Sequence, residues 1–402
     1  MASKIVARRE PESGGILPSP MTATAPVHRL ARYREEFPVF EHAIYLNSCS
    51  LGALSRRARS AVNDYLDLWE RRGASAWYDT WLPAMERLRA GYGSVVGAEA
   101  AAISIHPCIS SALSAVAESL DYTSRPRVVT TSLDFPTVAY QWLAKANRGV
   151  ELAIVESPDG IGVPLERLAA AIDDRTALVA TSHVFFTSGA IQDLRAVAGL
   201  AHRAGALLLV DGYQAAGQLP VDVTTLGVDF YCSGGLKWLL GGSGIAFLYV
   251  RPGLSERLQP SIAGWFGHAT PFRFDPRELV RAADARRFDL GTPSVASVYA
   301  QLGGLELLDE IGIPSVREVT AELTEDLIRE ARDRGITPKV AALAAERSGI
   351  VMLPSEDPHR DVRRLAEAGF IVDARPGHVR VSPYFYNLPE DHRAMLEHFV
   401  RV

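Results

Sequence analysis

Residues 176–212, TALVATSHVFFTSGAIQDLRAVAGLAHRAGALLLVDG, predict a strand, a helix and a second strand. The apolar runs TALVATSHV and ALLLVDG lack the alternation of apolar and polar residues that is typical of a strand with one solvent-exposed face. The segment between them, DLRAVAGLAHRAG, has helical spacing and a glycine at its end. Because two strands joined through a helix run parallel, this unit predicts a parallel sheet that is covered on both faces.

The same alternation continues on both sides of this unit. Further strands are predicted at RVVTTSL (127–133), VELAIVES (150–157), DFYCSGG (229–235) and GIAFLYVRP (244–252), and further helices at 137–149 and 164–174. The pattern is typical of an α/β domain, which we assign to residues 29–310.

Beyond about residue 310 the pattern changes. A long amphipathic helix at 314–335 precedes short strands and two more helices. This order predicts a smaller α+β domain over 311–402, on which the N-terminal helices expected between 54 and 95 pack in part. Residues 1–28, rich in Pro, Ser, Thr and Arg, are expected to form a disordered tail.

Charge and composition exclude several classes of protein. The 402 residues carry a net charge of −5 and a pI of about 6.1, so nothing indicates a nucleic acid or an anionic membrane as partner. No apolar run approaches the roughly 20 residues that span a bilayer, and the first residues lack the apolar core of a signal peptide. Three widely spaced cysteines form neither a disulfide framework nor a metal motif. We expect a cytoplasmic protein without a metal.

The segment CSGGLKWLLGGSG (232–244) contains one charge, Lys237, with no acidic residue within seven positions. Only four of the 42 basic residues of the chain are lysine. Arginine serves solubility equally well, but only lysine can lose its proton in a protein. An apolar, glycine-rich setting lowers the pKa of an amine, which favours a lysine that forms a Schiff base.

Four side chains of different chemistry follow predicted strands. Asp211 and His183 end two strands, and Lys237 and Phe135 follow two others. Ligands of open parallel sheets bind at these carboxyl ends. Taken singly, the aspartate suits a helix N-cap, the lysine a surface position, and the histidine and phenylalanine the core. Taken together, they favour a binding site.

An amine, a carboxylate and an aromatic ring meet the needs of pyridoxal 5′-phosphate, whose pyridine nitrogen pairs with a carboxylate and whose ring stacks on an aromatic side chain. The cofactor's phosphate needs a helix N-terminus with hydroxyl groups, and Ser110 and Ser111 begin a predicted helix. A phosphate-binding P-loop is excluded as the alternative, because Lys237 lies between leucine and tryptophan.

The segment 210–250, VDGYQAAGQLPVDVTTLGVDFYCSGGLKWLLGGSGIAFLYV, resembles the aspartate-to-lysine region of the class V aminotransferases. Within that family, YLNSCSLGALS (45–55), DFPT (134–137), SHVFFTSG (182–189), QPSIAGWFGHATPF (259–272) and FDLGTP (288–293) are most similar to kynureninases. The resemblance implies the fold of type I pyridoxal phosphate enzymes, with a mainly parallel sheet of the seven-stranded type, and a homodimer.

The resemblance also implies roles for individual residues. Lys237 would form the Schiff base, Asp211 would pair with the pyridine nitrogen, and Arg380 would hold the substrate's α-carboxylate, with Arg375 as the next candidate. Further cofactor contacts are implied for Gln214, Phe135, Ile109, Ser110, Thr137, Ser182, His183 and Ser233, and, from the partner subunit, for Trp265 and Thr292. Trp77 and Tyr78 would contact the substrate.

The chain departs from the kynureninase pattern at three positions. Leu236 replaces a tyrosine, Val138 an aspartate, and Tyr78 an asparagine. The stretch VDARPGHVRVS has no cysteine, which disfavours persulfide-forming desulfuration. We expect kynureninase-like cleavage of an amino acid side chain. The alternatives are an aminotransferase, an epimerase, a cysteine-conjugate C–S lyase, a decarboxylative deaminase, or a catalytically silent binding protein.

Overall fold

A computed structural model describes residues 29–400, so the predicted tail, residues 1–28, lies outside the described part. The helices are α1 Arg56–Arg72, α2 Leu82–Val96, α3 Ile109–Ala117, α4 Pro136–Leu143, α5 Leu165–Ala171, α6 Leu194–Arg203, α7 Val223–Leu226, α8 Val295–Ile311, α9 Ile313–Asp333, α10 Pro358–Glu367 and α11 Pro389–Val400. None of these helices combines the length and the apolar character that crossing a membrane requires.

The strands form one large and two small sheets. They are β1 Ile44–Tyr45, β2 Ile103–His106, β3 Arg127–Thr131, β4 Glu151–Val155, β5 Thr176–Ser182, β6 Leu207–Asp211, β7 Phe230–Gly234, β8 Ala246–Val250, β9 Val351–Pro354, β10 Phe370–Ile371, β11 Asp373–Arg375 and β12 His378–Val381. The large sheet has seven strands in the order β2-β8-β7-β6-β5-β3-β4. All pairs are parallel except the two that β8 makes. The predicted α/β fold, with a mainly parallel seven-stranded sheet, is confirmed.

The antiparallel strand β8 follows from its connection. Parallel neighbours need a crossover of a dozen or more residues, usually a helix, as between β5 and β6. The loop at 235–245 between β7 and β8 contains no helix, so the chain turns back beside the strand it has just left. Lys237 lies in this loop and therefore stays at the carboxyl end of the large sheet.

The C-terminal part contains a three-stranded antiparallel sheet, β11-β12-β9, covered by the last three helices. Its link to the N-terminal segment is β1, which pairs with β10, with Asn47 bridged to Ser382. Helices α1 and α2 pack mainly against α8, and the expected partial packing of the helices between 54 and 95 on the C-terminal part stays a prediction. Two residues of strand carry too little pattern to be recognised in a sequence. The division into 29–310 and 311–402 stays a prediction.

Candidate active site

Lys237 lies just after β7, half-buried, with its Nζ 4.2 Å from the centre of the Tyr213 ring. Burial is the main cause that lowers its pKa, to about 8, and the charges of Arg380 and Arg375 lower it further. The charge of Asp211 acts in the opposite direction. About a tenth of this amine is therefore neutral at pH 7, a far larger fraction than for a lysine with the ordinary pKa of 10.5, and a nucleophilic amine requires this neutral form.

Asp211 ends β6 and is buried. Its Oδ1 accepts a hydrogen bond from the backbone N–H of Tyr213 at 2.9 Å. Burial raises its pKa to about 6, and the charge of Asp134 adds to the effect. No helix begins at this aspartate, so it is not an N-cap. A buried carboxylate with a raised pKa is poorly satisfied without a cation, and a protonated pyridine nitrogen supplies one.

A small cavity joins these groups at the carboxyl ends of β5, β6 and β7. Its lining comprises Phe135, Ser182, Val184, Phe186, Asp211, Tyr213, Gln214 and Lys237. Five of these residues were singled out in the sequence. Three were missed, and alternation along the strand could have found Val184, which lies two residues after Ser182 at the end of β5.

Phe135 is the aromatic group of this cavity. It is 45 % exposed, which excludes core packing, and its ring meets that of Phe186 edge-on at 5.2 Å. It directly precedes α4, whose second residue is Thr137. Its position is fixed by its neighbour Asp134, which lies at the centre of a buried network.

Asp134 accepts five hydrogen bonds. Oδ2 accepts from the Thr130 hydroxyl at 2.9 Å and from the hydroxyl and backbone N–H of Thr131, both at 2.8 Å. Oδ1 accepts from the N–H of Ser182 at 2.6 Å and the hydroxyl of Thr181 at 3.3 Å. The network ties the end of β3 to the end of β5 and thereby holds Phe135 over the cavity.

The side-chain amide of Gln214 makes hydrogen bonds to the protein through both its nitrogen and its oxygen. Its Nε2 donates to the carbonyl of Cys49 at 2.9 Å, and its Oε1 accepts from Trp238 Nε1 at 2.8 Å. Gly52 donates its N–H to the carbonyl of Leu236 at 2.7 Å, and a Cβ at Gly52 would lie 2.2 Å from the Lys237 carbonyl oxygen. Only glycine permits this contact between the N-terminal segment and the lysine loop.

Arg380 lies on β12 and is 1 % exposed. Its Nη2 donates to Ser50 Oγ at 2.6 Å and to Asp373 Oδ2 at 2.8 Å, and its Nη1 donates to the carbonyl of Phe186 at 3.2 Å. Arg375 also pairs with Asp373, at 2.8 Å. The last contact of Arg380 reaches a residue of the cavity lining, and both arginines act on the pKa of Lys237, which places them beside the site.

The predicted phosphate site is the N-terminus of α3, which begins at Ile109. Ser110 is exposed there, and the first N–H groups of a helix have no intrahelical partner. Ile109, the first residue of this helix, belongs to the apolar cluster against which Tyr213 of the cavity lining packs. The helix N-terminus therefore faces the same region as the cavity, which fits an anionic group.

The structure does not bring His183 and Ser233 into the cavity. His183 is buried, hydrogen-bonded through Nδ1 to the Tyr231 hydroxyl at 3.0 Å, and burial lowers its pKa to about 4. Ser233 donates to the Tyr92 hydroxyl at 2.8 Å. Since neighbours along a strand point to opposite faces, His183 could not share the cavity with Ser182. Both side chains are buried outside the cavity lining, and their contact with the cofactor stays a prediction.

Four other predicted residues lie away from the cavity lining of this chain. Tyr78, which is 67 % exposed, lies 5.4 Å from Phe272, whose ring lies 5.5 Å from that of Trp265. Trp77 is half-buried against Trp81, and Thr292 is exposed. Tyr78, Trp265, Phe272 and Phe274 form an exposed aromatic cluster.

The profile of the family described as "Aminotransferase class-V" matches residues 56–402, which is most of the chain. The chain belongs to this family. It is a pyridoxal phosphate-dependent enzyme, and the lysine, the carboxylate and the open helix N-terminus described above fit that cofactor. The implied family, the expectation of a pyridoxal phosphate-dependent enzyme and the cofactor are therefore confirmed.

Similar proteins lie on several branches of the family. An uncharacterized aminotransferase of Bacillus subtilis, YcbU, is 35% identical, over 92% of this chain and 97% of its own. Kynureninases of Deinococcus radiodurans and Pseudomonas fluorescens are 30% and 29% identical, over 86% of this chain and 86% and 85% of their own.

Solved structures share the fold. A cysteine desulfurase from Thermococcus onnurineus has a TM-score of 0.83 at 21% identity, covering 94% of this chain and 98% of its own. The cystine C–S lyase C-DES, in complex with cysteine persulfide, has a TM-score of 0.83 at 21% identity, covering 91% and 99%.

The lowered pKa of Lys237 predicts how cofactor attachment depends on pH. Attachment needs the neutral amine, so protein stripped of cofactor should take it up at a rate that rises with pH and is half-maximal near 8, not near the ordinary 10.5. Replacing Arg375 by Gln removes a charge that lowers this pKa and should move the midpoint upward. Stopped-flow absorbance measures both. A midpoint above 10 in the wild-type protein would contradict the prediction.

Proposed function

We propose that this enzyme cleaves the side chain of an α-amino acid in a kynureninase-like reaction. The observation that carries the proposal is that Lys237, whose pKa is lowered, shares one region with the buried Asp211, which lines the same cavity, and with the buried Arg380, which bonds to the lining residue Phe186. Similarity to kynureninases over 86% of the chain supports this reaction within the family. The site residues named here remain proposals for this chain.

Pyridoxal phosphate supplies an electron-accepting ring that makes bonds at the substrate's Cα labile. In our proposal Arg380 holds the α-carboxylate, because its planar fork suits a carboxylate. Lys237, once released, takes and returns the proton at Cα, for which an amine with a pKa near 8 is well matched. Asp211 would keep the pyridine nitrogen protonated, and Phe135 would stack on the ring.

Tyr213 can replace the tyrosine that is missing at position 236, where this chain has leucine. Kynureninases place a tyrosine just before the lysine, and here the Tyr213 ring lies against Nζ of Lys237 instead. Burial raises the pKa of Tyr213, so its hydroxyl stays protonated and can donate. We assign to Tyr213 the polar contact that the relatives make from the position before the lysine.

Transamination is the second candidate. The observation that favours it is the 35% identity to an uncharacterized aminotransferase over 92% of the chain. Binding of the cofactor and removal of the Cα proton are common to both reactions. The two differ in where the proton is returned and whether a bond beyond Cα breaks.

We also propose a cytoplasmic homodimer. The exposed aromatic cluster of Tyr78, Trp265, Phe272 and Phe274 supports an interface, because a monomer seldom exposes large contiguous apolar patches. In such a dimer the cluster, with Trp77 and Thr292, would complete the partner's site, as the resemblance implies. Sedimentation of the purified enzyme measures the assembly, and a monomer would contradict it.

Product analysis tests the reaction. With kynurenine or 3-hydroxykynurenine we expect alanine and the matching anthranilate, identified by chromatography and mass. Pyruvate and ammonia from a cysteine S-conjugate would establish β-elimination instead. A stable pyridoxamine form with amino acid alone would establish transamination and contradict the cleavage reaction.

A further inference from the structure

Three charged side chains meet on one face of a hairpin beside Lys237. Strands β11 and β12 turn at Gly377, which has φ of +71°. Their register places Asp373 directly opposite Arg380, and period two puts Arg375 on the same face as Asp373. The hairpin thus carries two cations and one anion toward the site.

Asp373 binds both arginines through one oxygen. Its Oδ2 accepts from Arg380 Nη2 and Arg375 Nη1, both at 2.8 Å, and from Ser50 Oγ at 2.6 Å. Burial acts to raise its pKa, but Ser50 and the two guanidinium groups hold the pKa of Asp373 below its ordinary value. This carboxylate is therefore charged at neutral pH and offsets one of the two arginines.

Arg380 keeps donor capacity for a ligand. Its Nε is buried and has no hydrogen-bond partner, which is unfavourable unless a ligand oxygen supplies one. The bond from Arg380 to the Phe186 carbonyl does not involve Asp373, and an asparagine oxygen at position 373 can still accept from Ser50 and Arg380. Removing the charge of Asp373 therefore leaves the arginine oriented.

The local charges set how many carboxylates the site accepts. Two guanidinium groups against one carboxylate leave one positive charge uncompensated on this hairpin. One substrate carboxylate balances this charge. A second one, on the side chain, would meet Arg375 already paired and Asp373 with like charge.

We propose that Asp373 is a specificity-determining residue that restricts the enzyme to amino acids with a single carboxylate and an uncharged side chain. This inference rests on the proposed role of Arg380 in binding the α-carboxylate. It narrows the substrate class to neutral amino acids and excludes dicarboxylic ones.

Valerate and glutarate test the proposal, because both have five carbons and differ by one carboxylate. Their binding to the cofactor-loaded enzyme is measured by titration calorimetry, without any turnover. We expect the wild-type enzyme to bind valerate at least about tenfold more tightly than glutarate. Asp373→Asn should reverse or abolish this preference, since two guanidinium groups are then uncompensated. An unchanged preference overturns the proposal.

Asp357→Asn is the matched control, because it removes the same charge at the exposed N-cap of α10 and asparagine caps equally well. It should leave both affinities unchanged, and an equal effect there would overturn the role of Asp373. Arg375→Gln is the second variant. In it the charge of Asp373 fully offsets that of Arg380, so no positive charge is left for a ligand carboxylate, and both valerate and glutarate should bind at least about tenfold more weakly than to the wild-type enzyme. Binding as tight as in the wild type contradicts the charge balance.

Two further measurements distinguish a failure of the proposed function from a failure of the role of Asp373. The borohydride-reducible absorbance of the bound cofactor is recorded before any ligand is added, and Arg380→Gln is titrated beside the wild-type enzyme. A yellow wild-type enzyme whose valerate affinity is unaffected by Arg380→Gln refutes Arg380 as the carboxylate site. If Arg380→Gln loses valerate binding but Asp373→Asn keeps the preference for valerate over glutarate, only the specificity role of Asp373 is refuted.

Discussion

Lys237→Ala should lower kcat by about 10⁴-fold, at the upper end of what a positioned proton-transfer group contributes. The loss has two causes, since the amine both attaches the cofactor and moves the Cα proton. Wild-type enzyme should be yellow, with a band near roughly 420 nm that borohydride bleaches, and the variant should have no adduct that borohydride fixes. Absorbance and intact mass measure this directly.

Lys339→Ala is the matched control. Lys339 is also half-buried, and burial lowers its pKa as it does that of Lys237. It lies elsewhere in the fold, however, where its backbone pairs with Met352 of β9 and its side chain lies beside Gly160. Activity and colour should be unchanged in this variant. A borohydride-fixed adduct in Lys237→Ala, located by peptide mass at another lysine, would refute the assignment.

Asp211→Asn should keep the cofactor but lower kcat by about 10³-fold, or about 4 kcal/mol in the barrier. The reason is electrostatic. A neutral amide cannot hold a proton on the pyridine nitrogen, so the ring accepts electrons poorly when the Cα proton leaves. The change should appear mainly in kcat, with a smaller change in KM, because the substrate's carboxylate is held elsewhere.

Asp193→Asn is the control for this substitution, because Asp193 caps α6 and asparagine preserves a cap. It should retain wild-type kinetics. If Asp211→Asn retained more than a tenth of the wild-type kcat, the pairing of Asp211 with the cofactor would be wrong.

The large sheet could be predicted because its information is local. Each strand and helix predicted between 127 and 252 occurs, with ends shifted by a few residues. The pairing of β2 beside β8 could not be predicted, because it joins Ile103 to Tyr249 across the sequence and no local pattern records it. The same holds for β1, whose two residues pair with β10.

The site was predictable where a residue's chemistry is unusual for its setting. A single lysine among glycines and an aspartate at a strand end are such residues. His183 was singled out for its chemistry alone, and the structure places its side chain on Tyr231, outside the cavity lining, because strand alternation decides the direction of a side chain. Asp373 was not singled out, because an acidic residue on a short strand is ordinary. Its importance depends on the register that sets it opposite Arg380.

The contacts of residues 44–52 have a consequence for biosynthesis. This segment must meet both the lysine loop, through Gly52, and the last strands, through Ile44 and Asn47. Its later partners, at 370 and 382, are made by the ribosome more than 300 residues after it. A nascent chain can therefore form the sheet that carries Asp211 and Lys237 well before the arginine hairpin exists. With the proposed role of Arg380, the enzyme becomes competent only after residues 370–382 have been made, and until then the segment lacks these partners and is an unpaired edge that chaperones can recognise.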